Sequence, residues 1–297
     1  MPYNKSRKMK NGDFSTKGFM KMKKIISLAL CAVMIVACVA ALASCSSKKY
    51  IGVQSGTTGQ YFVDGDMENW GFEGLDGYEA KGYNNAGLAV KDLKSGAVKY
   101  VITDAAPAKE LAKSIGGVKV IDIALTEEEY AFGVDKNQTE LLNKINNVLT
   151  ENKTDVDAIF AKYANGEATP VTSAAKDLSK ADKQLVVATN AEFAPFEYTD
   201  GDKYVGIDIE IMKLVADKLN MELVIENMDF DAVVTSVGKN GVDVAAAALT
   251  VNDTRKESVN FTKSYYNAAQ VVITLDDDTS FDKCKTADDV IKVICGK

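Results

Sequence analysis

Short apolar runs alternate with segments of helical period through most of this 297-residue chain, and that alternation restricts the fold more than any other feature. The runs 50–54, 98–103, 118–124, 131–134, 185–188, 222–226, 242–247 and 270–274 have strand length and are rich in Val and Ile. Between them, 105–114, 137–150, 155–163, 208–219, 230–237 and 286–294 repeat apolar residues three and four apart, as Ile211, Met212, Val215 and Leu219 do. Pro107 falls in a first helical turn, where its missing N–H costs least. Thr286, followed by Asp288 and Asp289, caps the closing helix. Strands followed by helices imply an α/β fold with largely parallel sheets. Residues 166–182 lack a sustained apolar face and read as a linker.

Lys21, Lys23 and Lys24 precede an almost unbroken apolar run, 25–43, long enough to be a membrane-span candidate. The run ends in Leu42, Ala43, Ser44 and Cys45, with polar Ser46, Ser47 and Lys48 behind it. Residues 1–44 therefore have the basic start, apolar middle and small-residue end of a secretory signal. The ending L-A-S-C is similar to the lipobox of bacterial lipoproteins, in which the cysteine, here Cys45, carries the lipid and becomes the mature N-terminus. An uncleaved anchor helix is the alternative. Under either, the body lies outside the cytoplasm and is tethered to a membrane. Charge divides at the same place: residues 1–44 hold eight Lys/Arg and one acid, so of the net −7 the remainder carries −14. So acidic a body is repelled by phosphate backbones, which argues against nucleic acid as a partner.

The chain has no His, which removes Ser-His-Asp and Cys-His nucleophile pairs and every His-ligated metal site. Cys31 and Cys38 fall in the signal and Cys45 in the lipobox. Cys284 and Cys295 remain; they are too few for a Cys-only zinc site, and the spacing leaves their pairing open. No cofactor and no metal is expected.

Three stretches carry a family resemblance. The run L-V-V-A-T-N-A-E-F-A-P-F-E-Y (185–198) resembles the first strand and first ligand loop of family-3 extracellular solute-binding proteins, the receptors that feed polar amino acids to ABC importers. The run I-G-V-Q-S-G-T-T-G (51–59) resembles the second-lobe ligand loop, which in that family comes later in the chain. The run A-A-A-A-L-T-V-N-D-T-R (245–255) resembles the motif after a first-lobe strand. The resemblance implies a two-lobed periplasmic-binding-protein-like α/β fold (type II), with two mixed sheets joined by two hinge strands, in circularly permuted order. On it, 49–125 plus 276–297 form lobe two and 126–275 form lobe one, which contains the linker 166–182. The hinge is expected near 124–128 and 274–278. Joining Lys297 to Lys49 would make an ordinary helix-to-strand connection, and new ends in an exposed loop are the tolerated kind. A fragment spanning a tandem pair is the alternative origin.

A free amino acid presents a carboxylate and an ammonium on one carbon. Binding it from water takes a cation and N–H groups at one end, and an anion plus a carbonyl at the other. The resemblance implies that Arg255 forks onto the carboxylate. Thr250 adds its N–H and hydroxyl, and the N–H groups of Thr57 and Thr58 close the other side. Asp104, at a strand end in the crevice where such folds bind ligands, takes the ammonium together with the carbonyl of Ala248. Read alone, Asp104 is as well explained as a helix N-cap. Phe193 and Phe230 match the family's aromatic walls, while Phe196 reads as core. Asn190 and Gln54 fall where relatives carry specificity-setting groups. Both are neutral, which weighs against Lys or Arg as ligand unless Glu192 restores a charge.

The resulting expectation is a lipid-anchored protein on the extracellular face of a bacterial cell membrane. It captures a polar amino acid for an ABC transporter permease and does no chemistry on it. The rival is an enzyme on the same scaffold, a prephenate-type dehydratase or a lytic transglycosylase. The latter needs a cleft carboxyl group with a raised pKa, and Glu192 is the cleft-side Glu the sequence offers.

Overall fold

The computed structural model describes residues 49–297, so the signal, the lipobox and Cys45 lie outside the described residues. Among the described residues no helix is long and apolar enough to cross a membrane. Two five-stranded mixed sheets organise the molecule, as expected of a type II periplasmic-binding-protein-like fold.

The first sheet has the order Tyr78–Tyr83, Lys49–Gln54, Tyr100–Asp104, Gln270–Leu275, Val118–Ile121. Its first three strands are parallel, and Gln270–Leu275 runs antiparallel to both its neighbours. Ile51, Val53, Ile102, Val272 and Ile273 are fully covered; each such side chain contributes about 1.5–3 kcal/mol. Gly52 lets the helix Ala86–Ser95 lie close, because a Cβ there would stand 2.9 Å from Ala89 Cβ. That helix starts where Asn85 accepts from Leu88 N–H at 2.9 Å, which satisfies one of its orphan donors. The closing helix Ala287–Cys295 begins in a capping box between Thr286 and Asp289.

The second sheet has the order Glu222–Asn227, Gln184–Thr189, Val244–Ala245, Gly133–Asp135, Val259–Phe261. Helix Ile207–Lys218 lays Ile209, Ile211, Met212, Val215 and Ala216 against it, all essentially unexposed. Two short crossing strands, Glu128–Tyr130 and Tyr266–Ala268, pair antiparallel and carry the chain between the sheets.

Two sequence expectations need correction. The span 126–275 assigned Gln270–Leu275 to lobe one, but that strand is interior to the first sheet, between Tyr100–Asp104 and Val118–Ile121. Its six residues, four of them Val, Ile or Leu, mark a strand covered on both faces without saying which sheet covers it. The second crossing accordingly lies at 266–268 rather than 274–278. The stretch 166–182 is also not a free tether. Val171 is buried and bridges Tyr204 through two backbone bonds of 2.7 and 3.0 Å. Ala174 N–H donates to Leu223 O at 2.9 Å, so the segment lines the edge of the second sheet.

Candidate functional site

A narrow, nearly closed crevice lies between the lobes, lined by Gln54, Thr57, Thr58 and Asp104 from one and by Phe193, Phe230, Ala247, Ala248, Thr250 and Arg255 from the other. Every ligand-site residue named from the sequence lines it except Asn190. That residue stands directly behind, where its Oδ1 accepts from Gln54 Nε2 at 2.8 Å across the cleft. Its own Nδ2 donates to Met228 O at 2.9 Å.

Each wall is positioned by strand ends. Lys49–Gln54 delivers Gln54, then turns through Gly56 into the short helix Thr58–Asp64. Gly56 has φ +74°, and a Cβ there would fall 2.0 Å from Asp231 Oδ1 of the facing lobe. Only glycine permits both that backbone conformation and that approach. Tyr100–Asp104 delivers Asp104, which heads the helix Ala105–Ile115. Among the described residues its side chain makes no capping bond to that helix. Instead its Oδ1 accepts from Tyr130 Oη at 2.6 Å. Burial, reinforced by the charge of Glu128, pushes the Asp104 carboxyl up to about 7, while the Tyr130 and Gln270 hydrogen bonds work the other way.

On the facing wall Arg255 Nη1 donates to Thr250 O at 2.8 Å and Nη2 to Gly56 O at 3.2 Å. Burial draws the guanidinium down to about 10, opposed by the charges of Glu128 and Asp104, so it is cationic at neutral pH. Ala248 adopts a left-handed backbone, φ +47°, which costs a non-glycine residue roughly 1–2 kcal/mol. Asp208 Oδ2 accepts from Ala248 N–H at 2.9 Å and holds that conformation. Thr250 bridges Tyr130, but the two backbone bonds are made by Ala131 and Val251. Its own N–H stays outside that ladder.

The sequence reading missed Glu128. This buried carboxylate accepts at Oε2 from the hydroxyls of Thr58 and Thr250 (2.8 and 2.6 Å) and at Oε1 from Thr126 and Gln270 (2.6 and 3.0 Å). The Thr250 proton is therefore committed to Glu128, so the hydroxyl donation the sequence assigned to a ligand carboxylate has no proton left; the N–H is what Thr250 can still offer. Asp208 and Glu197 are two further buried carboxyl groups that were also missed, and partly buried Tyr265 donates its hydroxyl to Asp208 Oδ1 at 2.7 Å. Glu192, the carboxyl offered for a transglycosylase, is exposed and bonds Asn85 instead of lining the cavity.

Fold and crevice together define an α/β protein with two mixed five-stranded sheets and a narrow, charged cleft between them. Residues 185–292 match the family model described as bacterial extracellular solute-binding proteins, family 3; residues 49–165 lie outside that match. The chain is similar to the arginine-binding extracellular protein ArtP of Bacillus subtilis, 35% identical over 95 residues, which are 32% of this chain and 37% of that one. It is also similar to a probable amino-acid ABC transporter-binding protein of Haemophilus influenzae, 29% identical over 33% of this chain and 38% of that one. Among solved structures, the arginine-bound form of truncated ArgBP from T. maritima is 32% identical over 30% of this chain and 43% of that one, with a TM-score of 0.28. The chain thus spans well under half the length of each of these relatives.

Proposed function

We propose that this chain is an extracellular amino-acid-binding protein that closes its lobes on a polar amino acid and delivers it to an ABC permease. The observation that carries the reading is a guanidinium and a carboxylate, Arg255 and Asp104, lining one small cavity from different lobes. Arg255 and Thr250 N–H take the ligand carboxylate, with Thr57 and Thr58 beside them; Asp104 and the Ala248 carbonyl take the ammonium. Phe193 and Phe230 flank the side chain. The Gln54–Asn190 amide pair closes the cavity, which favours a neutral polar side chain over a cationic one. The names of the two curated relatives given above, both binding proteins, support capture rather than turnover.

The permuted order and the lipid anchor at Cys45 belong to the same reading. In support of the permutation, Lys297 Nζ lies 3.3 Å from Asp76 Oδ2, and two residues further on Tyr78 pairs with Lys49. The end of the chain therefore neighbours the start of the first strand. Closure pivots on the paired crossings Glu128–Tyr130 and Tyr266–Ala268.

A thermal-shift screen of the twenty amino acids, followed by calorimetry, tests the reading. One polar amino acid at a hundredfold excess over its Kd should stabilise the protein by about 2.7 kcal/mol. Arg255→Ala or Asp104→Ala should abolish that binding and leave cooperative unfolding intact. Unchanged affinity in either variant would sink the assignment.

A further inference from the structure

Arg255 is held by four groups, two from each lobe. Thr250 O and the Phe230 ring belong to its own lobe, Gly56 O and the Trp70 ring to the other. Its Cζ stands 5.4 Å from the centroids of both rings. The two carbonyls use two of the five guanidinium N–H groups, which leaves three donors for the cavity. Arginine on aromatic faces is an attractive arrangement that strengthens when water is excluded.

Trp70 does not reach this position as a loose loop residue. The segment between Thr58–Asp64 and Tyr78–Tyr83 folds back on itself. Asp66 N–H donates to Phe72 O at 2.9 Å and Trp70 N–H to Asp66 O at 3.0 Å. The Asp66 carboxylate accepts from Asn69 N–H at 2.9 Å. Tyr61 stacks on the indole at 4.8 Å, with 14° between the planes. The ring is therefore ordered by its own lobe, and its contact with Arg255 exists only where the lobes meet.

We infer that Trp70 is a positioning residue for ligand capture. It covers one side of the Arg255 guanidinium on closure, fixing the remaining donors toward the cavity and excluding water from the ion pair with the ligand carboxylate. This rests on the function proposed above. Because the contact forms late, its loss acts on the rate of opening and release, not on encounter.

Trp70 is the only tryptophan in the chain, so its emission reads the contact directly. The twenty amino acids are titrated singly, and the one that binds should shift Trp70 emission. In calorimetry, with rates followed by stopped-flow tyrosine emission in the native protein and variants alike, Trp70→Ala should bind that amino acid roughly 5- to 30-fold more weakly. Faster dissociation at an unchanged association rate should account for the loss, and Trp70→Phe should recover most of it. A purely structural role would lower the melting temperature and leave the dissociation rate alone. Wild-type affinity in Trp70→Ala, with binding abolished in Arg255→Ala, overturns the role of Trp70 and leaves the site reading standing. Wild-type affinity in Arg255→Ala, or no amino acid bound by the native chain, overturns the site reading and this inference with it. Should Trp70→Ala fail to fold, Trp70→Leu replaces it, and Trp70→Leu binding as well as Trp70→Phe overturns the inference.

Discussion

Glu128 and Asp104 are both buried carboxylates at the cleft, one on a crossing strand and the other at the end of a strand of the first sheet. Their surroundings differ in kind. Glu128 accepts from four fixed donors drawn from both lobes and the crossings. Asp104 has the Tyr130 hydroxyl at 2.6 Å and lines the cavity. A carboxylate filled by resident donors works as a fastener, since each donor would be stranded without it. A carboxylate that lines the crevice, and that burial raises to about 7 despite the Tyr130 and Gln270 hydrogen bonds, is poised for a further donor that arrives from outside. In the proposed function, that donor is the ligand ammonium.

The contrast breaks most visibly at Glu128. Glu128→Ala leaves Thr58, Thr126, Thr250 and Gln270 without their acceptor, and should cost about 3–5 kcal/mol in urea unfolding. The melting temperature should fall on the order of 10 °C. A loss below about 1 kcal/mol would mean the four hydrogen bonds fasten nothing.

At Asp104 the sign reverses. Its folded pKa is raised, so the folded state keeps a proton that the unfolded chain releases between about pH 4 and 7. The stability this group contributes is present at acid pH and lost as pH rises through about 7. Asp104→Asn removes that loss and should stabilise the ligand-free protein by about 2–4 kcal/mol at pH 8, with no gain near pH 4. The same variant should fail to bind. In the native protein, calorimetric affinity for the bound amino acid should weaken about tenfold per pH unit below 7, because the proton competes with the ammonium. A gain in stability without loss of binding would detach Asp104 from the ligand.

Much of this was legible because it is local. The α/β alternation follows from periodicity, and Gln54 and Asp104 end buried strands, where the chain itself delivers them to one crevice. The sheet membership of Gln270–Leu275 was not legible, since an apolar run is the same in either sheet. Glu128 was hidden in the acidic run Glu127, Glu128, Glu129, which reads as solvated charge. Its signal was period two: Glu128 and Tyr130 are buried, while Glu127 and Glu129 are exposed. The left-handed Ala248 had no signal at all, because alanine does not favour that conformation and the carboxylate that holds it, Asp208, is forty residues away.

Glu197 tests the same logic with the smallest expected effect. It is 1% exposed, and among the described residues its Oε2 meets no hydrogen-bond partner. Burial first, then the charges of Asp208 and Asp104, push its carboxyl well above the ordinary carboxylate range. The direction of that shift favours the protonated form, for which glutamine is a close match in size and charge. Glu197→Gln should change stability by less than about 1 kcal/mol. In difference infrared spectra at pH 7, the substitution should remove a protonated-carboxyl C=O band rather than a carboxylate band. If Glu197→Gln instead costs as much as Glu128→Ala, Glu197 is ionised and tightly paired. Burial alone would then not raise a cleft carboxyl in this molecule, and the distinction between the fastening Glu128 and the poised Asp104 would have to rest on their donors without it.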